Sequence, residues 1–138
     1  LKPLRCKLLC LLVGALSLGE AQASAHIWPV DMPPQKFASF SACLAVLQQQ
    51  DRDDRQNLAS SPQRLDSGAI VETNLQGPGL RRTGKHSAEY QATIGWRTRM
   101  KVGDHMEANY TYETRDLRCI KSTLHSRPSG GAEPGMPE

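Results

Sequence analysis

Two cysteines far apart in the chain, Cys43 and Cys119, set the tightest limit on what it can fold into. The other two, Cys6 and Cys10, belong to a leader. "LKPLRCKLLCLLVGALSLGEAQASA" places Lys2, Arg5 and Lys7 around the start of an apolar run, Leu8 to Leu18, followed by the small-x-small triplet Ala21-Gln22-Ala23. That layout predicts a signal peptide over residues 1–23, cut after Ala23 or, through Ala23-Ser24-Ala25, two residues later. Eleven apolar residues are about half of the ~20 that span a bilayer, so no membrane span is expected once the leader is gone. The expected address is the periplasm or the extracellular space, where two remaining thiols pair as a disulfide. Closing a loop of about 77 residues stabilises the fold by on the order of 4–5 kcal/mol in the chain-entropy model.

Such a tie matters because little else holds the chain. Removing the leader takes three of the 17 basic and one of the 14 acidic residues, which leaves 14 against 13. A near-neutral surface offers no global field to nucleic acid or an acidic membrane. Residues 24–36, "SAHIWPVDMPPQK", read as an extended Pro-rich segment, and residues 126–138, "SRPSGGAEPGMPE", as a disordered Pro/Gly-rich tail. Residues 37–125 remain as one small α+β domain, marginal without a covalent staple.

"FASFSACLAVLQQQDRDDRQNLA" predicts a helix. Ser39 is the N-cap; Phe40, Cys43, Leu44 and Leu47 make an apolar stripe that Leu58 extends; Asp51 and Arg55 pair on the wet side; Pro62 stops it. The period then changes from 3.6 to 2. "GAIVETN", 68–74, is a short strand, and "LQGPGLRRTGK" is loop chemistry. "SAEYQATIGWRTRM" and "HMEANYTYE" alternate cleanly around "VGD", read as a three-residue hairpin loop. Pairing Lys101 with His105 sets Arg99 against Glu107, Trp96 against Tyr110 and Ile94 against Tyr112. Leu117 and Cys119 have the opposite parity to Tyr110 and Tyr112, so either a bulge lies near Thr114 or Arg115, or the strand ends there. The expected architecture is one amphipathic helix on a three- to four-stranded antiparallel sheet, tied by Cys43–Cys119.

Chemistry is sparse. "GLRRTGKHS" falls short of the phosphate-loop pattern, with His86 in place of the hydroxyl and a strand, not a helix, after it, so no nucleotide and no cofactor is expected. Arg81, Arg82 and Lys85 leave only a weak anion-binding loop. His26, His86, His105 and His125 lack ligand spacing, and no metal site is expected. "NYT" at Asn109 matches a glycosylation acceptor within a strand. Glu89, Arg97, Arg99, Glu107 and Glu113 are expected on the sheet face away from the helix. Two functions follow. One is a non-catalytic exported domain that binds a protein or an envelope component. The alternative is a small phosphodiester hydrolase using Glu89 and Arg97 with His86 or His105, since phosphoryl transfer needs a base, an acid and a cation.

Overall fold

The computed structural model describes residues 24–137, so the leader lies outside the described residues. Its elements are β1 (Ala25–Ile27), β2 (Gln35–Lys36), α1 (Phe40–Ala59), β3 (Gln63–Arg64), β4 (Ile70–Gly84), β5 (Ser87–Val102), β6 (His105–Ile120), β7 (Thr123–Ser126) and β8 (Ser129–Pro137). All eight strands join one antiparallel sheet, in the order β1-β8-β6-β5-β4-β3; β7 continues the β6 edge beyond β8 and carries β2. The expected sheet of three or four strands is therefore corrected to eight, and the molecule is mostly β.

The helix follows from local rules. Ser39 is extended, and its Oγ accepts a hydrogen bond from the Ala42 amide at 3.1 Å, which starts α1. Cys43 and Leu47 are fully buried against Ala88, Tyr90, Ala92, Cys119 and Leu124. Cys43 and Cys119 are bonded, with Cα atoms 6.0 Å apart, so the disulfide ties the start of α1 to the end of β6. One expectation for the helix changes: Leu58 is exposed. The Asp51–Arg55 pair forms at 2.9 Å with Arg55 exposed, close to Gly79 of β4.

The strands are longer than their patterns predicted, for two reasons. β4 runs on through "LQGPGLRR", because a bulge between Gln76 and Gly79 absorbs the glycines and proline. Gly77 (φ 117°) and Gly79 (φ 73°) hold left-handed backbone there, which side-chain-bearing residues resist. The expected loop is thus a kinked strand. At the other end, Ser129–Pro137 pairs with β6 as β8, although a disordered tail was expected. Glycine makes this pairing possible: a Cβ on Gly130 would stand 2.7 Å from the Tyr112 carbonyl oxygen, and one on Gly135 2.5 Å from that of Ala108. Pro134 is tolerated because it falls in the register shift between the Tyr110–Glu133 and Ala108–Met136 pairs, where the ladder is interrupted.

The central hairpin is shifted by one residue from the expected register. Val102 pairs with His105 across a two-residue turn, Gly103-Asp104, whose glycine has φ 61°. Glycine with positive φ at the first central position suits a tight two-residue turn whose twist matches the strands. In consequence Met100 opposes Glu107, Trp96 opposes Thr111 and Ile94 opposes Glu113. A one-residue shift exchanges faces. Cys119, Leu117, Arg115 and Glu113 share the helix-side face with Tyr90 and Ile94, while Tyr110 and Tyr112 point away. The parity conflict disappears, and β5–β6 pairing runs without a bulge at Thr114 or Arg115.

Candidate binding surface

The residues of the hydrolase reading are not gathered in one place. Glu89 lies on β5 facing away from the helix, ion-paired to Arg81. Arg97 lies eight residues along the same strand, ~26 Å at strand rise, 3.7 Å from Glu72. His86 sits in the β4–β5 turn, its ring edge-on to Phe40 (6.0 Å) and its carbonyl accepting from the Lys121 amide. His105 sits at the opposite hairpin end, 2.9 Å from Glu107. The two histidines are separated by the 16-residue length of β5, ~50 Å. Glu107 and Glu113, expected beside Glu89 and Arg97, occupy the other face after the register shift.

The three cations of the proposed anion loop also diverge. Arg81 and Arg82 are neighbours in a strand, so they point to opposite faces. Arg81 pairs with Glu89, whereas the Arg82 guanidinium lies 4.9 Å over the Phe40 ring. Lys85 belongs to the β4–β5 turn. His26 and His125 stand in β1 and β7. Asn109 is half-buried in β6 and accepts the Gly135 amide at 2.7 Å, so its side chain is engaged in the sheet.

What the sequence reading missed is a buried polar cluster under the helix. Asp54, 1% exposed, accepts hydrogen bonds from the Tyr90 hydroxyl (2.8 Å), from Gln50 Nε2 (3.1 Å) and from Arg115 Nη2 (3.5 Å). Arg115 also bonds Glu113. Burial raises the Tyr90 pKa above its ordinary value, and the hydrogen bond to Asp54 and that carboxylate's charge push it further the same way. Burial works against the charge on Arg115, yet the bond to Glu113 and the Asp54 carboxylate outweigh it, and its pKa is raised. The available signal was the step of seven from Leu47 to Asp54, which puts an acid in the apolar stripe and demands partners. The Tyr90 and Arg115 contacts to Asp54 link α1 to β5 and β6, so the cluster locks helix to sheet.

Arg115 and Glu113 mark one wall of a groove of about 500 Å³ on the helix-side face, beyond the helix. Trp96, Ala25, Ile27 and Ala132 make the rest mostly apolar, with Ile27 68% exposed. Four strands build it: the β5–β6 register brings Trp96 beside Thr111, β8 adds Ala132 opposite Thr111, and β1 adds Ala25 opposite Ala132. Among the described residues no helix is long and apolar enough to cross a membrane, and no three His, Cys, Asp or Glu side chains form a metal-holding group. Comparison with family models, with curated proteins and with solved structures finds no match.

Proposed function

We propose that this protein is a non-catalytic exported binding domain, and that the Trp96 groove takes an extended apolar segment of an envelope protein. The groove itself carries the reading: an apolar concavity with one aromatic wall and an ion pair at its rim has the make-up of a recognition site. Its lining reaches along β6 from Thr111 to Arg115 and across β8 to Ala25 and Ile27 of β1, a span that suits a short segment of chain. The Cys43–Cys119 bond supports an oxidising compartment.

A photo-crosslinking side chain at Ile27, introduced into the protein in its native cells, tests this. An adduct with an envelope protein, lost on Trp96→Ser, is expected. Turnover of a phosphodiester substrate by the purified protein, abolished by Glu89→Gln, would instead establish the hydrolase.

A further inference from the structure

We propose that the outer rim of the sheet, residues 27–32, docks on an anionic lipid bilayer and sets its apolar side chains at the boundary of headgroups and acyl chains. The inference goes beyond the groove reading and does not rest on it; Ile27 is the residue the two share.

Residues 24–36 run along the sheet's outermost edge as β1, a connecting arm and β2, and all of them are exposed. Within six positions the arm carries Ile27, Trp28, Val30 and Met32, which are 47% to 78% exposed. The arm is fastened all the same. Val30 and Met32 donate their amides to the Pro128 and Ser126 carbonyls (3.4 and 2.9 Å), and β1 and β2 pair on either side of them. Apolar side chains gathered on an anchored segment mark a surface that something covers.

Two observations favour lipid over a protein partner. The first is sidedness. Ile27 lines the Trp96 groove on the helix side of the sheet. Met32 lies on the opposite side, in a hollow of about 430 Å³ with Ile120, Arg118 and His125. Ile120 is itself half exposed. The rim is therefore apolar on both of its sides, and a fluid medium wraps both where a rigid partner meets one. The second is the edge itself. The Val30 and Met32 amides are turned inward, and at the alternate positions Pro29 and Pro33 carry no amide to offer. Prolines so placed blunt an edge against strand addition, so backbone pairing is not what the exposed side chains serve.

Charge selects the kind of bilayer. Behind the rim Arg81, Arg118 and Arg127 are matched by Glu89, Asp116 and Asp31. Two exposed lysines add to that balanced set. Lys36 lies in β2, four residues past Met32, and Lys121 directly follows Ile120. The mature chain is near neutral as a whole, so the attraction is local and acts within a Debye length of ~8–10 Å. Indole and aliphatic side chains backed by lysine are the composition that settles at headgroup depth.

The test mixes the purified, processed protein with vesicles of phosphatidylglycerol and phosphatidylethanolamine, or of phosphatidylcholine alone. Trp96→Phe leaves Trp28 as the fluorescent reporter. Cosedimentation with the anionic vesicles is expected, with a blue shift of Trp28 emission and quenching by lipid brominated on its acyl chain. Trp28→Ser with Val30→Ser, both exposed, leaves the thermal midpoint in place and weakens binding about tenfold or more. Lys36→Gln with Lys121→Gln weakens it about fivefold or more. Trp96→Ser, which strips the groove of its aromatic wall, leaves it unchanged. Absence of binding, equal binding to both vesicle compositions, or adsorption without quenching of Trp28 overturns the proposal. So does affinity within twofold of the parent in either double variant, or a loss on Trp96→Ser, which would move the contact to the groove. Binding that requires membrane protein in the vesicle would give the rim to a protein and overturn it as well.

Discussion

Tyr90 and Tyr110 stand on adjacent strands of one sheet and do opposite things. Tyr90 points under the helix, loses all contact with solvent and spends its hydroxyl on Asp54. Tyr110 points the other way, finds no covering layer, and lies across Gly95. The difference is in what faces the ring. A buried phenol needs a partner for its polar end, and the helix supplies one. A phenol on an uncovered face can only gather apolar contact from the sheet itself, and glycine on the next strand makes room for it. On one face tyrosine is a fastener, on the other a surface.

The strongest way to break this contrast is to unfasten the helix. Asp54→Ala leaves Arg115 without its buried carboxylate and should cost about 3–5 kcal/mol in chemical denaturation; a loss under 1 kcal/mol would show that the cluster does not hold the helix down. Cys43→Ser with Cys119→Ser is expected to cost about 2–5 kcal/mol by the same measurement. Tyr90→Phe removes one donor to Asp54 and should cost about 1–3 kcal/mol. Its pH signature sharpens the point. Because the folded-state pKa of Tyr90 is raised, the stabilisation is complete below the unfolded tyrosine value of ~10 and is lost as pH climbs beyond it toward the folded value. Denaturation curves above pH ~10 should show a steeper decline for the parent than for Tyr90→Phe.

On the far face the effects are smaller and of another kind. Gly95→Ala would put a methyl group 2.3 Å from the Tyr110 hydroxyl and 3.0 Å from Asn74 Oδ1, so Tyr110 must lift. The expected loss is about 1–2 kcal/mol. In a Tyr110→Ala background most of it should vanish, and a double-mutant cycle with no coupling would mean that the ring does not lie on Gly95.

Part of the candidate surface was legible in advance. The Trp96 side of β5 is legible as the helix-side face, because alternation of period 2 is a local property. The face of the aromatic pair on β6 is not, because a hairpin's register turns on one residue of loop length. "VGD" reads equally well as a three-residue loop or as Val102 followed by a Gly-Asp turn. The place of Asp54 in the stripe is visible in sequence, while its partners Tyr90 and Arg115 come from strands 36 and 61 residues away. Glu89, Arg97, His86 and His105 could be listed from sequence, yet distance along a 16-residue strand separates them.

The sequence by itself determined the helix from its Ser39 cap to its end before Pro62, the pairing of Cys43 with Cys119, and the alternation of β5. Those depend on contacts within a turn or two, or on there being only two cysteines in residues 24–138. Tertiary structure alone decided the extent of β4, the register of β5 with β6, the recruitment of residues 129–137 as a strand, and which tyrosines meet the helix. Strand pairing is made with distant neighbours. Glycine and proline, which read locally as loop, become strand wherever the adjoining backbone offers hydrogen bonds and leaves no room for a side chain.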